Sequence, residues 1–158
     1  MKRKMIFVLM MSLLFAVMTT PAFAGTSEAL GKTQSIIVQT YDDGSYAIIE
    51  TVEVPHRAMF AAAATKSASR TYTYYNSKNV AAWTFTLKGT FTYDGSTAKA
   101  TAASNSYNIH VSGWKCSARS SSTSGAIAKA NGTFKYANLI KNTSLGLKCS
   151  PSGVISAV

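Results

Sequence analysis

The sequence predicts an all-β fold: an immunoglobulin-like or related antiparallel β-sandwich with one disulfide, behind a cleaved signal peptide. Three observations predict it. Residues 81–93 (AAWTFTLKGTFTY) place Trp83, Phe85, Leu87, Phe91 and Tyr93 on one parity and Thr84, Thr86, Lys88, Thr90 and Thr92 on the other, the period-two signature of a half-buried strand. Short runs of this kind recur between turn signals, enough for eight to ten strands. No segment beyond Ala24 carries a convincing helical period.

Residues 1–24 stand apart. Lys2, Arg3 and Lys4 precede an apolar run over 5–18, broken only by Ser12, and Ala22 and Ala24 bracket an A-x-A site. Charge, apolar stretch and small-residue site in that order predict export and cleavage after Ala24. The apolar run is short for an uncleaved anchor. Residues 25–158 suffice for one domain. A chain with 11% aromatic residues is not a disordered one.

Residues 25–55 predict an acidic β-hairpin. Residues 34–40 (QSIIVQT) and 46–54 (YAIIETVEV) are β-branched runs, and Asp42-Asp43-Gly44 between them is a hairpin turn. Pro55 lacks the donor needed to continue a ladder. Residues 56–70 (HRAMFAAAATKSASR) are rich in Ala and Ser without alternation, and read as a linker or crossover.

Residues 71–158 form the basic body, in one domain with the hairpin. A strand over 70–77 carries Tyr72, Tyr74 and Tyr75; the 81–93 strand follows, with a bend or bulge expected at Gly89. Asp94-Gly95 turns the chain into 96–104, and Tyr107, Ile109 and Val111 alternate before Trp114 and Cys116. Residues 117–125 read as a polar Ser/Thr connection. Residues 126–136 and 143–149 pair around Asn138, and 154–158 is a last short strand. With the apolar parity taken as inward, Lys88, Lys99, Lys115, Lys129, Lys135 and Lys148 all point outward. Coin-toss placement would achieve that roughly once in 64, so the agreement supports the registers.

The sequence holds two cysteines, Cys116 and Cys149. An even count in an oxidising compartment argues for a bridge between them. They and the distant His56 and His110 have no metal-ligand spacing, and no cofactor is expected.

The charge is unevenly divided. The whole chain carries +10, of which the signal holds three; residues 25–53 set five carboxylates against Lys32, net −4, and residues 54–158 set twelve cations against Asp94, net +11. A solvated surface explains this without further function. A second reading is attraction to anionic cell-wall polymers or a membrane surface, with the six outward lysines as contacts. Nucleic acid fits poorly, because it favours clustered Arg forks over scattered lysines. The asymmetry also allows the hairpin to mask the body until cleavage near Lys66 or Arg70 releases it.

Catalytic chemistry finds little support. Neither His56 nor His110 sits in a nucleophile–base motif. The carboxylates Asp42, Asp43, Glu50 and Glu53 read as turn residues and outward strand positions rather than a glycosidase pair. Sugar binding would need exposed rings, and Trp83 and Trp114 share parity with the core, as Tyr72 and Tyr74 do with each other. Tyr75, on the opposite parity, is the candidate exposed aromatic. Asn131-Gly132-Thr133 and Asn142-Thr143-Ser144 match the glycosylation sequon, which matters only in a eukaryotic secretory pathway.

Over roughly residues 66–158 the body resembles a family of small secreted β-rich proteins of Gram-positive, Firmicutes-type bacteria. The pieces that carry it are 66–72 (KSASRTY), 83–95 (WTFTLKGTFTYDG), 114–117 (WKCS) with Ser124-Gly125, and 147–150 (LKCS). The resemblance implies secretion, a β fold and a Cys116–Cys149 bridge, and implies no catalytic residues. The expectation is therefore a non-enzymatic secreted protein acting at the cell envelope through a lysine-rich sheet face, with a cationic antimicrobial, bacteriocin-like protein as the alternative.

Overall fold

Alternation places apolar side chains on one face of the central strands, and the two faces so formed close on each other. The computed structural model describes residues 32–54 and 63–158. The expected signal peptide, His56 and the first part of the expected linker lie outside the described residues. Nine strands are present: β1 (Lys32–Thr40), β2 (Tyr46–Val54), β3 (Ala64–Tyr75), β4 (Ala81–Tyr93), β5 (Ala98–Ile109), β6 (Lys115–Ser124), β7 (Ile127–Tyr136), β8 (Leu139–Cys149) and β9 (Ile155–Ala157), with no helix among the described residues. They form two antiparallel sheets, ordered β1-β2-β3-β4-β5 and β6-β7-β8-β9. Consecutive strands are neighbours within each sheet, an up-and-down order unlike the interleaved strands of immunoglobulin domains.

The core lies between the sheets. Trp83, Phe85, Leu87 and Phe91 of β4 and Tyr72 and Tyr74 of β3 face Ala128, Ala130 and Phe134 of β7 and Leu145 and Leu147 of β8, all buried. The period-two reading of 81–93 thus describes a real inner face. The expected bulge at Gly89 is not found: β4 alternates without a break through Gly89, and the register shift beside Thr90 and Phe91 leaves Thr101 of β5 as the extra residue. Gly89 has a separate reason to lack a side chain: an added Cβ would meet the Phe91 ring at 2.9 Å and Ala128 of the opposite sheet at 3.1 Å.

Three segments differ from the sequence reading. Residues 64–70, expected in a linker, are the first half of β3, paired with both β2 and β4. Ala and Ser suffice there because Ala68 opposes Gly89, where space is tight. Lys66 is the third residue of β3, whereas Arg70 lies mid-strand between β2 and β4 and is buried, so cleavage at Arg70 would cut a paired central strand. Residues 117–125, expected as a connection, are most of β6, an edge strand exposed almost throughout. Alternation is invisible in a strand that buries so little. Residues 96–104 and 107–111, expected as separate strands, merge into one long β5.

The hairpin β1–β2 is part of the first sheet, in full register with β3. Its carboxylates reach the body. Glu53 pairs with Lys66 at 3.2 Å and accepts from the Ile155 amide at 3.3 Å, while Asp43 pairs with Lys141 of β8 at 3.4 Å.

The expected disulfide is absent, and both cysteines are free. The register gives the reason. Cys116 opposes Phe134, and Phe134 opposes Lys141. Cys149 lies eight positions further along β8 than Lys141, roughly 27 Å at strand rise. A disulfide tolerates a Cα separation of only about 7 Å. An even cysteine count carries no information about strand register, so it could not reveal this.

Candidate functional site

The outward lysines divide between two faces. Lys88 and Lys99 lie on the outer parity of β4 and β5, opposite Ser104 and Thr92. Lys115, Lys129, Lys135 and Lys148 lie on the outer parity of the second sheet. All six are exposed, but the faces point away from each other, so they do not form one surface.

The second sheet is the more distinctive face. Residues 115–158 contain six cations and no Asp or Glu. Lys115 and Lys135 are directly opposed across β6 and β7, an arrangement that costs stability when nothing neutralises it. Lys129 opposes Gly146, and Lys148 opposes Ile127, so these two lysines are diagonal neighbours, roughly 7–8 Å apart. Lys129 and Lys135 stand six positions apart on β7, roughly 20 Å. Between the two pairs run Ala118, Thr133 and Asn142, then Ser120, Asn131 and Ser144. The result is a hydrogen-bonding strip with a lysine pair at each end, and a shallow depression along it is lined by Ala118, Ser120, Asn131 and Thr133 with Arg119 at its side.

A second feature lies at the end of the sandwich beside the β1–β2 turn. A cleft of about 280 Å³ there is lined by Tyr74, Trp114, Tyr136 and Leu139, with Asp43 and Lys78 at its polar side. Trp114 meets Tyr74 edge-on at 5.4 Å and Tyr136 at 5.6 Å, so the rings are packed on one another. Gly113, at φ +92°, abuts the Tyr136 ring. Asp43 is fully engaged. One oxygen accepts from the Ser45 hydroxyl and amide, and the other faces Lys141. These bonds hold its carboxyl below the usual range, with the Ser45 hydroxyl the largest cause. Lys141 also sits 4.0 Å over the Tyr41 ring and 5.3 Å from Tyr74, with 13% of its side chain exposed. Sequence reasoning treated Asp43 only as a turn residue and missed Lys141. Only the packing of β8 under the hairpin brings the two together.

Other candidates separate. Tyr75 is half-buried, and one face of its ring is stacked on Tyr46 at 4.7 Å and 4°. Trp83, Trp114, Tyr72 and Tyr74 are buried. Tyr107 is exposed beneath the Arg119 guanidinium, 5.3 Å away. His110 is exposed in the connection after β5. Burial pushes both thiols up, Cys116 and Cys149 alike, which works against thiolate chemistry. Among the described residues, no three His, Cys, Asp or Glu are grouped as metal ligands. No family model, curated protein or solved structure matches the chain.

Proposed function

We propose that this is an exported, non-enzymatic protein that binds anionic polymers of the cell envelope through the outer face of β6–β9. The observation that carries this reading is a sheet with four outward lysines and no Asp or Glu, on which Lys115 and Lys135 are held directly opposite each other. A polyanion laid across the strip would relieve that repulsion and meet the second pair, Lys129 and Lys148, at its other end. The intervening Ser, Thr and Asn side chains offer hydrogen bonds to hydroxyl or phosphate groups. The charge pattern of residues 2–24 and the resemblance of the body to small secreted proteins support export.

Retention of the purified protein on isolated cell wall tests the proposal. Binding should be strong at low salt and lost as the screening length falls from about 10 Å at 0.1 M to about 3 Å at 1 M. Replacing Lys115, Lys129, Lys135 and Lys148 by Gln should abolish retention, while Lys88→Gln with Lys99→Gln should leave most of it. Equal losses from both sets, or retention indifferent to salt, would sink the reading. Growth inhibition of neighbouring cells by the purified protein would instead favour the antimicrobial alternative.

A further inference from the structure

β1 is an outer edge of the five-stranded sheet, and no described strand pairs with its far side. Ile36, Ile37 and Val38 stand together in its middle, at 61%, 45% and 60% exposure. An edge strand is normally blunted by charge, proline, a bulge or a cover. Residues 33–41 contain no charged residue and no proline, and the register shift of β1, between Thr33 and Ser35, falls short of the apolar residues. The other edges are bridged or short. Arg119 and Ser121 of β6 donate to the Asn105 and Ala103 carbonyls of β5 at 3.5 and 3.2 Å, and β9 has three residues.

The exposed stretch is complementary to itself. Two copies of β1 set antiparallel about Ile37 place Ile37 against Ile37 on one face. On the other face Ile36 meets Val38 twice. The neighbouring two-fold registers, about Ile36 or about Val38, would each keep a single apolar pair. The Ile37 register also brings the Lys32 end of one copy to Asp42 of the other. Asp42 is exposed and belongs to neither ion pair of the described residues, Lys66–Glu53 or Lys141–Asp43. An uncharged stretch thus carries opposite charges at its two ends, which is the pattern that antiparallel self-pairing needs.

We propose that the β1 edge is the interface of a two-fold dimer, in which two copies join their five-stranded sheets into one of ten. Pairing removes three apolar side chains per copy from water and satisfies the open backbone groups of both edges. The axis of such a dimer runs perpendicular to the shared sheet, so both second sheets lie on the same side of it. The second sheet packs on β3, β4 and β5, which leaves β1 and β2 of each copy between the two second sheets. Their outer lysine faces then point the same way. One extended polyanion surface would meet both faces at once and gain avidity. That consequence rests on the envelope-binding reading above, whereas the dimer itself does not.

Sedimentation velocity of the purified protein over a series of concentrations, with no wall material present, tests the interface. The wild type should run as a dimer that dissociates on dilution. Ile37→Lys should raise the dissociation constant roughly a hundredfold or more, because it sets two ammonium groups against each other at the centre of the contact. Asp42→Lys should raise it roughly three- to tenfold at low salt and little at high salt. Both positions are exposed in the single chain, and unchanged tryptophan fluorescence would show that each variant still folds. Ile37→Cys should form a covalent dimer on mild oxidation far faster than the wild type, because opposed residues lie about 4.5–5.5 Å apart at Cα, within disulfide reach. A wild type that stays monomeric at every concentration, or a dimer that survives Ile37→Lys, would overturn the interface. A dimer in which Ile37→Cys fails to cross-link would overturn the register. None of these readouts involves wall retention, so the two proposals can fail separately.

Discussion

Trp83 of β4 lies face to face on Phe134 of β7, with ring centroids 3.8 Å apart and planes 7° apart. The stack joins the two sheets at their centre. Tyr72 and Tyr74 flank Trp83 on the first sheet at 5.2 and 5.4 Å, and Phe85 meets Phe134 edge-on at 5.9 Å. Phe134→Ala should therefore open a cavity against the Trp83 ring, lowering stability by about 3–5 kcal/mol. Urea unfolding followed by tryptophan fluorescence measures it. A loss under about 1 kcal/mol would mean that the sheets are not held here.

Both thiols are free and far apart. The intact protein should show no mass deficit of two hydrogens. Cys116 is half-buried and Cys149 fully buried, so an alkylating reagent should modify Cys116 first and Cys149 only as the chain unfolds. Because burial raises both thiols, labelling of the folded protein should be slow at neutral pH and quicken in alkali. An intramolecular bridge in the folded protein would refute the β6–β7–β8 register.

Asp43 and Asp94 each accept hydrogen bonds within their own turns, Asp43 from Ser45 and Asp94 from Ser96 and Thr97. Both carboxyls are lowered, Asp43 chiefly by the Ser45 hydroxyl and Asp94 chiefly by the Thr97 amide. A folded pKa below the unfolded one means stabilisation that is complete above the ordinary value of about 3.9 and lost as pH falls through the lowered values. Melting of the wild type, Asp43→Asn and Asp94→Asn should differ at pH 6 and converge in strong acid. A gap that persists at the lowest pH would contradict this assignment.

Two turn glycines should respond differently to alanine. Gly125, at φ +55°, has open space where a Cβ would go, and Gly153, at φ +79°, would drive a Cβ to 2.4 Å from the Tyr93 ring. Gly125→Ala should lose only the left-handed backbone term, roughly 1–2 kcal/mol. Gly153→Ala should lose that and a further 1–3 kcal/mol or so for displacing the ring. Equal losses in chemical denaturation would show that Tyr93 yields freely.

The amino-acid order alone determined what is local. Alternation is a property of neighbouring residues, so the inner face of 81–93 and the exposure of all six candidate lysines were legible before any strand was paired. The turns at Asp42-Asp43-Gly44 and Asp94-Gly95 were equally plain, because Asp side chains and positive-φ glycines act over a few neighbouring positions. Tertiary structure decided whatever depends on partners distant in the chain. Strand order split the lysines between opposite faces and left four of them on a sheet without Asp or Glu. Register carried Cys116 and Cys149 to opposite ends of the second sheet. Pairing with β7 made a strand of Ser- and Thr-rich β6, whose own composition gives no alternation to read. Layer packing turned Arg70, one basic residue in an expected linker, into a buried cation facing β8. Hydrophobic parity says which way a side chain points, but only the neighbouring strand and the opposite layer determine what it meets there.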